Sequence, residues 1–218
     1  MLDQVQQRLT DIYCADHGHD IRDFVITDRR IADAIGSGAM LSNTDESVLV
    51  QEDDDGLALS VFLDSDMLER LDSVDPLTSL KPDHLDDLWK VVEGVSHFNY
   101  LVWCASHDRS VTLLELEMQA EVDKFVSTLL LMIEQGDAQM SSQLHRWLFE
   151  DADFRDDLCR ETRARYEAAS RYASRFCHRI RGRLLEGDAT ALPELRHFYR
   201  LTQPGKISHI HASAWASP

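Results

Sequence analysis

From Asp83 onward the apolar residues of this chain recur at three- and four-residue steps, and that periodicity constrains the fold more than any other feature. Five segments show it: 83–106, 112–135, 138–149, 155–185 and 190–202. Gly136 and Gly187 fall just past two of them, where a left-handed residue ends a helix. The connection around Ser106 to Ser110 is short, so the first two helices are expected to run antiparallel. Thr112, Leu114, Leu116 and Met118 also alternate as in a strand, but the length of the periodic run favours a helix there.

The first 80 residues have a different texture. Leu2, Val5, Leu9, Ile12 and Tyr13 predict a helix over 2–14. Asp23 to Thr27 reads as a short strand, and Asp28 as the cap of a short helix that runs through Ala34 and stops at Gly36 and Gly38. A β-hairpin follows: Ser47 to Val50, a turn over Glu52 to Gly56, then Leu57 to Leu63 with Leu57, Leu59, Val61 and Leu63 on one face. Residues 64–82 read as a short helix and a connector. The expected fold is therefore α+β and mostly helical, a small N-terminal α/β portion with a β-hairpin packed on an antiparallel helical bundle. Residues 1–80 and 81–218 are the two portions, either as separate domains or as one continuous domain.

Charge and composition narrow the function classes. The chain has 218 residues, of which 44% are hydrophobic, so it is not a disordered acidic tail. Its 22 basic residues stand against 39 acidic ones, a net charge of −17 that repels nucleic acid and anionic lipid. The longest apolar run, Phe125 to Ile133, is too short to span a bilayer. No C-x-x-C pair occurs among Cys14, Cys104, Cys159 and Cys177, and Met1 to Val5 has neither a basic start nor an apolar run. A cytoplasmic protein with reduced thiols is expected. Phosphate-binding glycine loops, the Gly-x-Ser-x-Gly elbow and His-Glu-x-x-His are absent.

Two polar features stand out against that background. Segment 83–106 is apolar over most of its circumference but is crossed by Glu93, His97, Tyr100 and Cys104, spaced so that they stack on one face. Segment 112–135 carries a similar line of Glu117, Glu121, Lys124 and Thr128. If the lines face each other across the short connection, Glu93, His97, Glu117 and Glu121 converge, and carboxylates with an imidazole on facing helices can hold a divalent transition metal. The competing reading is local hydrogen bonds and i,i+4 ion pairs.

The second feature is charge segregation. Residues 1–150 hold ten basic and 30 acidic side chains, whereas residues 151–218 hold 12 and nine. Arg171, Arg175, Arg179 and Arg183 follow one another at four-residue steps as a ridge, suited to acidic groups of the same chain, to an acidic protein surface or self-association, or to a nucleic acid or phosphorylated ligand, with the acidic remainder of the chain opposing a long polyanion. With no strong catalytic motif, the leading expectation is a cytoplasmic, non-catalytic interaction or regulatory protein. The alternative is a metal-assisted enzyme of hydrolase or oxidase type, with its Glu/His site between helices 83–106 and 112–135.

Overall fold

The computed structural model describes residues 1–35, 44–53, 56–151 and 158–214. The expected helix stop at Gly36 and Gly38, the Asp54–Asp55 tip of the hairpin and the start of segment 155–185 lie outside the described residues. The elements are α1 (Leu2–Tyr13), β1 (Val25–Ile26), α2 (Arg29–Ile35), β2 (Glu46–Asp53), β3 (Gly56–Leu63), α3 (Ser65–Val74), α4 (Leu85–Ser106), α5 (Leu113–Glu134), α6 (Ala138–Phe149), α7 (Arg160–Leu185), α8 (Ala191–Arg200) and α9 (Gln203–Ala214). The fold is α+β and mostly helical, with a small N-terminal sheet. No helix of the described residues is long and apolar enough to cross a membrane. The chain forms two compact units: Met1–Thr10 with Asp16–Arg109, and Asp11–Ala15 with Ser110–Pro218.

In the first unit β3 is the central strand, parallel to β1 and antiparallel to β2. One face of β3 presents Leu59, Val61 and Leu63, all buried, as its alternation predicts. Its other face buries Phe62 against Ala32 of α2, with Ile26 and Leu49 beside them. The sheet is thus covered on both sides, by α2 on one and α4 on the other. The caps follow from side-chain chemistry: Asp28 Oδ1 accepts from the Arg30 amide at 2.8 Å, and Asp64 Oδ1 accepts from the Asp66 and Met67 amides at the start of α3.

Helix α4 meets the sheet at Gly94. A Cβ there would stand 3.1 Å from both Leu63 Cδ2 and Val61 Cγ1 and 3.3 Å from Glu46 Cγ. Leu63 and Val61 are fully buried and have little room to retreat. Gly94→Ala gains about 1 kcal/mol of helix propensity but overpacks this contact at a typical cost of about 1–3 kcal/mol. A net loss of stability, read as a lower denaturation midpoint, is the expected result.

In the second unit α5 is the central helix. It packs chiefly on α7 and also on α6. Its apolar line of Met118, Val122, Phe125 and Leu129 is fully buried, and so are many polar positions, including Gln119, Asp123 and Thr128. Thr112 caps α5 by accepting from the Glu115 amide, so residues 113–118 are helical and not a strand. Gly136 and Gly187 take positive φ just past α5 and α7, as their positions predict.

Helix α9 lies beyond 190–202, the last segment that the periodicity marks. Pro204 sits at the second position of that helix, where its missing N–H costs no hydrogen bond. Glu194 of α8 ties three helices together. Its carboxylate accepts from Arg179 and Arg183 of α7 and pairs with His209 of α9 at 3.1 Å.

Burial opposes the charge on Glu194, but hydrogen bonds from Arg183, His209 and Arg179 outweigh it and hold the carboxyl below its ordinary range. A carboxyl whose pKa is lowered by folding contributes stability that is fully present above its unfolded pKa of about 4.3 and is lost as the pH falls through the folded value. Glu194→Gln is expected to cost about 1–3 kcal/mol at neutral pH, with the gap from the wild type closing below about pH 4 in denaturation curves.

Candidate metal centre

The hairpin register determines which residues face α4. Cross-strand partners share a face of the sheet. Glu46 pairs with Leu63 and Val48 with Val61, so Glu46 projects with Leu63 and Val61 towards α4. Glu93 and His97 lie one turn apart on that helix. The absence of a side chain at Gly94 lets the Glu46 stem approach between them.

The result is a cluster of two carboxylates and one imidazole. Glu46, Glu93 and His97 each offer a ligand atom, and the three atoms lie within 4.8 Å of one another. His97 Nδ1 stands 3.5 Å from Glu46 Oε1. The His97 and Glu46 side chains are only 8% and 12% exposed, so the cluster is largely removed from bulk water. Both glutamates retain some exposure, which leaves the carboxylate side as a route of entry.

The neighbouring residues hold the start of β2 in place. Lys90, one turn before Gly94, donates to Asp45 at 2.9 Å and to Asp86 at 2.7 Å. Burial opposes its charge, but these two hydrogen bonds raise its pKa above the ordinary value. The Asp64 amide donates to the Asp45 carbonyl at 2.9 Å, and Arg29 donates to the Thr44 carbonyl at 2.6 Å. Backbone and side-chain contacts therefore anchor the residues just before Glu46.

A largely buried group of two carboxylates and an imidazole suits a divalent cation. Oxygen donors are preferred by hard ions such as manganese and imidazole by borderline ions such as zinc or iron, and the set contains no thiolate. Three protein donors leave coordination positions open, as in catalytic rather than closed structural sites. This cluster overturns the expectation of a strictly non-catalytic protein, which rested on the lack of a sequence motif. The ligands come from a strand and a helix 47 positions apart, a spacing that no short motif spans.

Of the four residues proposed from the stripes, the structure brings Glu93 and His97 together and adds Glu46. Glu117 and Glu121 belong to the second unit. There Glu117 stands 3.7 Å from Arg165 of α7, and Glu121 accepts from Lys124 at 2.8 Å. Glu46 lies one residue outside the expected strand over 47–50. The available signal was a carboxylate two positions before Val48, on the strand's apolar face.

The arginine ridge is divided. Arg179 and Arg183 are taken up by Glu194, while Arg171 and Arg175 remain exposed on α7. His17 of the N-terminal turn is held by Asn99 at 3.1 Å, and burial lowers its pKa more than that hydrogen bond raises it. No family model matches the chain, and neither does any curated protein or any solved structure.

Proposed function

We propose that the chain is a metal-dependent enzyme of hydrolase type, with a divalent transition-metal ion held by Glu46, Glu93 and His97. The observation that carries this reading is the convergence of three ligand atoms within 4.8 Å at a largely buried position. A bound ion at such a site supplies Lewis-acid polarisation and lowers the pKa of a coordinated water. The two glutamates offset the charge of a dication, and His97 adds a neutral donor. Lys90 acts on Asp45 and keeps the start of β2, and with it Glu46, against the helix.

Hydrolysis is favoured over oxidase chemistry by the donor set. Mononuclear iron oxygenases use two imidazoles and one carboxylate, the reverse of the ratio here. Di-iron bundles need a second group of carboxylates and histidines, and the described residues hold one metal-capable group. Four free thiols are compatible with a reducing cytoplasmic setting.

The test is metal content by mass spectrometry on freshly purified, untagged protein, followed by titration with zinc and manganese. Near-stoichiometric uptake by the wild type and its loss in His97→Ala are expected, with metal-dependent hydrolysis in a panel of ester and amide substrates. A wild-type chain that takes up neither ion overturns the proposal.

A further inference from the structure

We propose a second site, on α7 of the other unit, that binds a phosphate monoester between Arg171 and Arg175. The two residues are one turn apart and exposed, so they share one face of the helix. Among the described residues neither forms an ion pair. Their neighbours on the same helix are engaged. Arg165 lies beside Glu117, Arg179 and Arg183 hold Glu194, and Arg181 donates to the Ser141 carbonyl. Arg171 lies over the Tyr172 ring at 5.7 Å, an aromatic contact that orients its guanidinium.

The surface between them is concave. A depression of about 350 Å³ is lined by Phe149, Glu167, Ser170, Arg171, Ser174 and Arg175. Its size falls at the small end of ligand sites, which begin at about 300 Å³. One guanidinium suffices for a planar carboxylate, whereas two guanidiniums and the Ser170 hydroxyl match the three terminal oxygens of a phosphate monoester, the Ser174 hydroxyl being already in contact with His145 at 3.2 Å. Phe149 offers an apolar surface for the carbon body of the ester. Glu167, which also lines the depression one turn before Arg171, and the net charge of −17 oppose a second phosphate or a long polyanion. The ligand class is therefore a small monoester carrying a single phosphate.

Phenyl phosphate and inorganic phosphate are titrated into the full chain at low salt by calorimetry, in the wild type, in Arg171→Gln, in Arg175→Gln and in His97→Ala. Saturable binding of phenyl phosphate is expected, weaker for inorganic phosphate, and reduced roughly tenfold or more by each arginine substitution. The melting temperatures of the arginine variants should match the wild type, because both side chains are exposed. Undiminished binding in His97→Ala separates this site from any phosphate held at the metal centre, so the two proposals fail independently. The proposal is overturned by no saturable binding at millimolar phenyl phosphate or by affinity unchanged in both arginine variants. Equal binding of a glutamate-rich peptide also overturns it, in favour of an acidic protein surface.

Discussion

Replacing Lys206 with Met lowers the stability of the second unit by about 3–5 kcal/mol, the usual cost of removing one partner from a buried charge arrangement. Lys206 is completely buried. Its ammonium donates to Gln119 Oε1 at 2.6 Å and to the Phe198 carbonyl at 2.9 Å, and it lies over the Phe198 ring at 4.3 Å. The Gln119 amide then donates to Asp123 Oδ1 at 2.7 Å, and the Tyr13 hydroxyl donates to the same oxygen at 2.5 Å. Gln119 is thus fixed with its oxygen towards the cation and its nitrogen towards the anion. Burial, and then the nearby Asp123 carboxylate, raise the Tyr13 pKa well above its ordinary value.

Without the ammonium the Asp123 charge stays in the core and loses the cation that balances it through Gln119. For a chain of this size each kcal/mol moves the melting temperature by roughly 2–4 °C, so a fall of about 10 °C is expected. Asp123→Leu is expected to be similarly costly, since it strips the acceptor from Tyr13 and Gln119. The double variant should lose less than the sum of the two single losses, because each single change strands a charge that the other removes. Denaturation of the four proteins checks this, and strictly additive losses would show that the two charges do not couple.

Glu46→Gln should lower the affinity for a divalent metal as severely as His97→Ala. Substitutions one shell further out already cost about 10–100-fold in known metal sites, so loss of a ligand should cost about 100-fold or more. Glu117→Gln and Glu121→Gln should leave metal affinity unchanged, since Arg165 and Lys124 already face those carboxylates. Metal at 100 times its dissociation constant should stabilise the wild type by about 2.7 kcal/mol, a rise of roughly 5–10 °C in melting temperature that Glu46→Gln abolishes. Binding should weaken on acidification, because the ligands must lose their protons to bind. Competition titration with a chromophoric chelator measures all five proteins, and loss in Glu117→Gln but not in Glu46→Gln would contradict the assignment.

The amino-acid sequence by itself determined the order and type of most elements and the buried faces of the strands and helices. Periodicities of 2 and 3.6, caps such as Asp28, Asp64 and Thr112, and stops such as Gly136 and Gly187 act over a few residues and are written locally. The stripe of Glu93 and His97 was legible for the same reason. A stripe specifies a face and says nothing of what meets it. Only the tertiary structure decided that β2 meets this one. The hairpin register carries Glu46 onto the apolar side of the sheet, and Gly94 lets that side come close enough for its carboxylate to join the imidazole. The same limit applied to α5 and α7, whose polar lines could be read but not their partners. Arg165 stands beside Glu117 and Glu194 takes Arg179 and Arg183 because contacts between elements far apart in the chain are set by packing, to which local pattern is blind.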